Sequence, residues 1–141
     1  MLKLSLIVPN YRWSKGDEHT YWLYPPYGLC CLAAVAEPLC EVEIIDAYFR
    51  NLSKEELAEE LKRSSPDVVG LTVIMDQFSD SGHMTTKIVK QVNDEIKVLM
   101  GGVYSTLNPE VAIEDPNIDF VIIGEGEEVL VELLGFFEGR N

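Results

Sequence analysis

The sequence has few basic residues and few cysteines. Its 141 residues include 11 Lys and Arg against 24 Asp and Glu, which gives a net charge of −13. Nucleic acids and anionic membrane surfaces are bound by clustered Lys and Arg, so the charge argues against both as partners. The three cysteines match neither a disulfide framework nor a CxxC metal motif, which favours a reducing, cytoplasmic location.

Long hydrophobic runs are also missing. No segment reaches the roughly 20 apolar residues of a membrane span, and the N-terminus lacks the small-residue cleavage site of a signal peptide. The apolar share of 47% is enough for the core of one compact domain. Nine acids and no basic residue lie between Lys97 and Arg140. We expect this acidic end to face solvent or a partner domain rather than a cofactor phosphate.

Strand-like and helix-like segments alternate along the chain. The predicted strands are Leu2–Val8, Val42–Ile45, Asp67–Ile74, Ile96–Met100 and Asp119–Ile123. The predicted helices are Tyr27–Glu37, one capped by Ser53 with Glu56, residues 80–95, one with Asn108 as N-cap and Pro109 first, and Glu125–Phe137. Connections of this kind require a parallel sheet covered on both faces. We predict a three-layer, doubly wound, five-stranded α/β sheet, flavodoxin-like, with strand order 2-1-3-4-5.

Ligands of such folds bind beyond the carboxyl ends of the strands, so the strand-end loops are the candidate site. The first loop, residues 10–25, and the helix start beyond it carry aromatics that either cover a planar ligand or pack as a satellite core: Tyr11, Trp13, Tyr21, Trp22, Tyr24 and Tyr27. Thr72 and Gln77, after the third strand, either bond a ligand or cap the next helix.

The loops after the fourth and fifth strands are rich in glycine. Gly101-Gly102 permits close backbone approach to a ligand and is followed by the hydroxyls of Tyr104, Ser105 and Thr106, although a tight turn with a helix cap is the alternative. Gly124-Glu-Gly-Glu-Glu128 begins like a dinucleotide fingerprint, but Val129 replaces the last glycine and three acids would repel a pyrophosphate. A dinucleotide site is therefore not expected.

Two other site types are also disfavoured. A phosphorylatable receiver domain needs acids after the first strand and Lys after the fifth, where this chain has Pro9-Asn10 and Gly124. His19 and His83 are far in sequence from any thiolate cluster, so a zinc site is unsupported and both are expected to be surface or capping residues.

Taken together, the motifs resemble the cobalamin-binding domain at the N-terminus of many radical SAM enzymes. The matching segments, which span nearly the whole chain, are Pro25–Leu29, Val42–Asp46, Gly70-Leu-Thr72 with Gln77, Gly101-Gly102 with Thr106 and Pro109-Glu110, and Gly124–Glu127. Within that family, the chain most resembles the anaerobic Mg-protoporphyrin monomethyl ester cyclases and the cobalamin-dependent methylases.

The resemblance implies a base-off cobalamin, with its dimethylbenzimidazole tail beside the sheet and its corrin over the strand ends. Thr72 matches the family's hydroxyl after strand three, and Gly101 and Gly102 match its paired glycines. The further residues implied as cofactor contacts are Gln77, Tyr104, Ser105, Thr106, Gly124 and Glu125.

The chain departs from cobalamin mutases at their Asp-x-His-x-x-Gly motif. Asp17-Glu18-His19 is present, but Trp22 stands where the glycine belongs. We therefore expect no protein histidine on cobalt, with His19 as the alternative ligand, and assign no other metal ligand.

The CxxxCxxC motif of radical SAM enzymes is absent. Residues 1–141 are therefore expected to be the cobalamin-binding part of a longer protein, not catalytic alone, with a downstream radical SAM domain that holds a [4Fe–4S] cluster and S-adenosyl-L-methionine for methyl transfer or radical cyclisation. Two alternatives stay open. One is a domain that has lost cobalamin and covers substrate or binds another domain, and the other is a regulatory flavodoxin-like domain with a different flat ligand.

Overall fold

A computed structural model describes residues 1–14 and 25–140 of the chain. Within these residues five strands form one parallel sheet, and numbered in chain order they lie side by side as 2-1-3-4-5, as the sequence predicts. Their bounds are β1 Lys3–Val8, β2 Glu41–Asp46, β3 Val68–Thr72, β4 Lys97–Gly101 and β5 Phe120–Val121. Strands β3 and β5 are shorter than predicted, since their pairing with β4 covers only residues 68–72 and 120–121.

In the described part of the chain six α-helices cover the sheet, one more than predicted. They are α1 Tyr27–Ala36, α2 Lys54–Ser64, α3 Ser79–Val92, α4 Val103–Leu107, α5 Pro109–Ile113 and α6 Glu127–Phe137, with 3-10 turns at Tyr11–Trp13 and Asp76–Phe78. Helices α1 and α6 pack together over one face, called the front, while α2 and α3 pack together over the back. The predicted cap of α2 is confirmed, since Ser53 Oγ accepts a hydrogen bond from Glu56 N at 3.0 Å.

The segment after Gly102 corrects two expectations. Residues 103–107 form helix α4, whereas the sequence predicts a ligand-binding loop or a tight turn with a helix cap. Asn108 does not cap α5 with its side chain. Its Nδ2 instead donates to Asp76 Oδ1 at 3.0 Å and to the Tyr104 carbonyl at 3.3 Å, and that carbonyl also accepts from Asn108 N at 2.8 Å.

The core lies on both faces of the central strands. Leu4, Leu6 and Ile7 of β1 are each at most 1% exposed, and Val68 and Val69 of β3 are equally buried. At the β5 edge, Asp119 Oδ2 accepts from Lys90 Nζ and from Val98 N, both at 2.8 Å, which holds β5 beside β4. Among the described residues, no helix has the length and apolar character needed to cross a bilayer.

Candidate functional site

A cavity of about 420 Å³ opens at the carboxyl ends of the strands, between the front face of the sheet and helices α1 and α6. The sheet contributes side chains that point to the front in alternation, among them Leu6, Val8 and Leu99. The helices contribute Leu32 and Leu130. The cavity therefore lies where a doubly wound fold binds its ligands, and its walls are mostly apolar.

Glycines make the cavity deep. Gly70 lies in its floor, where an added Cβ would be 3.0 Å from Leu6 Cδ2. An added Cβ at Gly101 would be 3.9 Å from the Ile122 Cβ, which is ordinary contact, so that only a longer side chain would fill the space. The missing side chains give a flat or elongated ligand direct access to the backbone of β3 and β4.

Gly102 is required for a different reason. Its φ of +103° is rarely adopted by L-residues, and an added Cβ would be 2.5 Å from the Val73 carbonyl oxygen and 2.8 Å from Thr72 Oγ1. The end of β4 is therefore pressed against the end of β3. This contact forms the part of the cavity wall that Thr72 and Gly102 share.

The polar groups of the cavity are hydroxyls and carboxylates. Thr72 lies at the end of β3, Asp46 at the end of β2, and Glu125 and Glu127 follow β5. No Lys, Arg or His is among the residues of the described chain that line the cavity. Glu125 and Glu127 are the two of the nine acids beyond Lys97 that line the cavity, because the turn at Gly124 brings the start of α6 over the strand ends. That the acidic end faces solvent or a partner domain rather than a cofactor phosphate stays a prediction.

An aromatic wall closes the side of the cavity next to β1 and β2. Tyr11 is 4% exposed, stacks on Phe78 at 4.6 Å between centroids, and donates its hydroxyl to the Thr72 carbonyl at 2.9 Å. Tyr48 packs against Tyr11, and the Arg12 guanidinium lies 4.1 Å from the Tyr48 ring centroid. Tyr11 thus belongs to the core, as one interpretation of the aromatic loop predicts, and it also lines the cavity. The other interpretation, that these aromatics cover a planar ligand, stays a prediction.

The predicted site residues fall into three groups. Five of them meet at the cavity: Thr72, Gly101, Gly102, Gly124 and Glu125. Tyr104, Ser105 and Thr106 lie on α4 behind that wall, and Gln77 is exposed in the turn before α3. Of the first loop, His19, Tyr21, Trp22 and Tyr24 lie outside the described residues. Each assignment as a cofactor contact stays a prediction.

Two of the α4 residues have side-chain environments that the sequence does not indicate. Thr106 Oγ1 accepts a hydrogen bond from Gly124 N at 2.9 Å, which fixes the turn that lines the cavity. The Ser105 hydroxyl is fully buried and has no hydrogen-bond partner within the described part of the chain. Sequence spacing alone carries no signal for either arrangement, because both depend on how α4 packs.

His83 is a partly buried member of a polar network, although the sequence indicates a surface or capping residue. Its Nδ1 lies 2.7 Å from Asp115 Oδ2 and its Nε2 lies 3.0 Å from the Tyr104 hydroxyl. Burial raises the pKa of Tyr104, and the carboxylates of Asp76, Asp115, Asp80 and Glu114 raise it further. Burial also acts to raise the pKa of Asp115, but donors from Asn117, His83 and Thr86 outweigh it and lower that pKa.

Comparison with known proteins places these features in a family context. The family model described as "B12 binding domain" matches residues 19–134. An uncharacterized methyltransferase of Pyrococcus horikoshii is 36% identical over 111 residues, and an anaerobic magnesium-protoporphyrin IX monomethyl ester cyclase of Rubrivivax gelatinosus is 32% identical over 136 residues. The matches cover 78% and 94% of this chain, which spans about a quarter of either relative (24%).

A solved structure shares the fold. The cobalamin-dependent S-adenosylmethionine radical enzyme OxsB, with aqua-cobalamin and S-adenosylmethionine bound, superposes with a TM-score of 0.76 at 20% identity. The match covers 100% of this chain and 19% of OxsB.

Proposed function

The chain belongs to the family of B12-binding domains, and from this membership we propose that it holds cobalamin in the cavity on the front of the sheet. The observation that carries the proposal is the cavity itself, which is apolar, floored by Gly70 and Gly101, and open at the strand ends. An aromatic base on a flexible linker can lie along such a floor, while a bulky corrin cannot. The dimethylbenzimidazole tail therefore occupies the cavity in the proposal, and the corrin lies over its mouth.

The polar groups at the cavity suit the parts of cobalamin that reach them. Thr72 at the end of β3 offers a hydroxyl to the tail, and Gly101 and Gly102 offer close backbone contact. Asp46, Glu125 and Glu127 are acceptors for amide N–H groups, which surround a corrin ring. Since no cation of the described chain lines the cavity, the tail phosphate lies toward solvent in this proposal.

With its tail in the cavity, the cofactor is base-off, and we propose that no protein histidine replaces the base. In support, no described residue that lines the cavity is a histidine. Electron paramagnetic resonance of the bound Co(II) form tests this point, since a nitrogen ligand splits the cobalt lines into triplets. Lines without nitrogen splitting are expected, and splitting that disappears in His19→Ala would assign cobalt ligation to His19 and contradict the proposal.

The remainder of the enzyme is proposed from the relatives. A chain that spans about a quarter of them is proposed to be the cofactor module of a longer radical SAM enzyme, whose other part holds the [4Fe–4S] cluster and S-adenosyl-L-methionine. Bound cobalamin supplies a reactive cobalt centre for methyl transfer or for radical cyclisation. The residues of this chain bind and orient that centre and keep water from its tail.

The proposal is tested by titrating the purified chain with hydroxocobalamin, following the visible spectrum and co-elution on a desalting column. Gly101→Leu is designed to fill the cavity. Gly101→Ala is the matched control, because its Cβ would come no closer than 3.9 Å to Ile122 Cβ, an ordinary contact. We expect the wild type and Gly101→Ala to retain cobalamin and Gly101→Leu to lose it. Failure of the wild type to bind would favour a domain that has lost the cofactor, and equal binding by Gly101→Leu would place the cofactor elsewhere.

A further inference from the structure

The strand register divides the cavity into two levels. Leu6, Gly70 and Leu99 lie side by side on β1, β3 and β4, because Leu6 pairs with Gly70 and Gly70 pairs with Leu99. All three line the cavity, and we call this row the inner level. Two residues further along, on the same face of the sheet, Thr72 pairs with Gly101 at the carboxyl ends of β3 and β4. This second row, next to the mouth, is the outer level.

The polar side chains that line the cavity belong to the outer level or to the mouth beyond it. Asp46 and Thr72 are the last residues of β2 and β3, and Glu125 and Glu127 follow β5. The tyrosines of the aromatic wall follow β1 and β2, and Tyr27 begins α1. Hydrogen-bonding side chains are therefore available to a ligand only near the mouth, within the described part of the chain.

The inner level, by contrast, is apolar. Helices α1 and α6 begin at the mouth, so Leu32 and Leu130, which lie further into them, continue the apolar wall inward from the floor. Gly70 exposes backbone there, but β3 lies between β1 and β4, so its N–H and carbonyl belong to the ladders of the sheet. A polar ligand atom at this level would lose its hydrogen bonds to water and gain none from the described residues.

Corrinoids differ in the base of the nucleotide tail, and the difference falls at the inner level. The ribose is attached to the five-membered ring of the base, so the six-membered ring enters the cavity first. In dimethylbenzimidazole this ring consists of carbon atoms with two methyl groups. In adenine, a bicycle of similar size, it contains two nitrogen atoms and carries an amino group. Thr72 at the outer level reaches only the nitrogen of the five-membered ring.

We propose that the cavity selects corrinoids by this base: it takes a base whose six-membered ring is apolar and disfavours a purine. The inference rests on the proposed function and makes its ligand more specific. One buried polar group without a partner lowers affinity about tenfold, and adenine places three such groups at the inner level. The methyl groups of dimethylbenzimidazole add to the preference because they bury apolar surface, so plain benzimidazole is the control for size.

The test compares the affinity of the purified chain for three corrinoids: cobalamin, the benzimidazole corrinoid without methyl groups, and the adenine corrinoid pseudocobalamin. The bases leave cobalt with different ease, so the acid titration of each free corrinoid measures that equilibrium and corrects its affinity. We expect the corrected affinity for pseudocobalamin to be at least about tenfold below that for either benzimidazole corrinoid. Equal corrected affinities for pseudocobalamin and the benzimidazole corrinoid without methyl groups would overturn the inference.

A pair of variants at Leu32 locates the selection in the cavity. Leu32 is only partly buried, so a polar side chain is tolerated there, and circular dichroism checks that each variant is folded. Leu32→Gln brings an amide into the cavity and should reduce the preference against pseudocobalamin about fivefold, the effect of one neutral hydrogen bond.

Leu32→Met is the matched control, because its apolar side chain has the same length and should keep the wild-type preference. The same preference in both variants would place the selection outside the cavity and overturn this inference alone. A wild type that binds none of the three corrinoids would overturn the proposed function and this inference with it.

Discussion

Replacing Gly102 with alanine separates the structural role of the glycine pair from its role at the cavity. Gly102 has φ +103° and ψ −178°, a region that is essentially restricted to glycine. The new Cβ would lie 2.5 Å from the Val73 carbonyl oxygen and 2.9 Å from Val73 N. Both contacts are with backbone, which cannot rotate aside as a side chain would, so the junction of β3 and β4 must move.

The cost follows from two contributions. A non-glycine residue held in this region costs about 1–3 kcal/mol. Displacing the Val73 carbonyl weakens the hydrogen bond that it accepts from Tyr104 N at 3.1 Å, which adds about 1 kcal/mol. We expect a loss of about 3 kcal/mol from a stability of roughly 7–20 kcal/mol for a chain of 141 residues, or a fall in Tm of about 10 °C.

Thermal and urea denaturation measure this loss, and Gly101→Ala is the matched control. Its Cβ makes only ordinary contact with Ile122, at 3.9 Å, so its stability should change by less than about 1 kcal/mol. Equal losses for the two adjacent substitutions would refute the reasoning, because the difference between them rests on backbone conformation and on the contact with Val73.

Two further substitutions test polar groups away from the cavity. Ser105→Ala removes a buried hydroxyl that has no hydrogen-bond partner among the described residues, so urea denaturation should show stability unchanged or raised by up to about 1 kcal/mol. A loss of cobalamin affinity would make Ser105 a cofactor contact. For Asp119, burial acts to raise the pKa, but Lys90 and Val98 N outweigh it and lower that pKa. The stability from Asp119 is therefore present at neutral pH and lost as pH falls below about 4. Asp119→Asn should lower the free energy of unfolding by about 1–2 kcal/mol at pH 7 and weaken its further fall as the pH is lowered. An unchanged pH dependence of stability at acid pH would contradict this assignment.

The sheet could be predicted from the sequence because each strand is a short apolar run bounded by turn residues. Asp67–Ile74 is nearly continuously apolar, as a strand covered on both faces requires. Because a predicted helix lies between each pair of successive strands, the strands are expected to be parallel. The glycines at 101 and 102 also mark the cavity wall correctly. These features are local, so they are visible in a single sequence.

Features that depend on tertiary packing were not predictable. Residues 103–107 contain β-branched and aromatic side chains with weak helix propensity, yet they form α4, in which Tyr104 is buried and meets His83 edge to face. The network joins positions 83, 104 and 115, which no periodicity connects. Glu125 and Glu127 reach the cavity only because the chain turns at Gly124, with φ of +76°.

In the proposed function the cavity holds the nucleotide tail of cobalamin. Competition between cobalamin and cobinamide, which has the corrin but no nucleotide, tests it most directly. We expect cobalamin to bind at least about tenfold more tightly to the wild type, because only its tail buries apolar surface in the cavity. In Gly101→Leu the two corrinoids should bind alike. Equal affinity of the wild type for both corrinoids would contradict the claim.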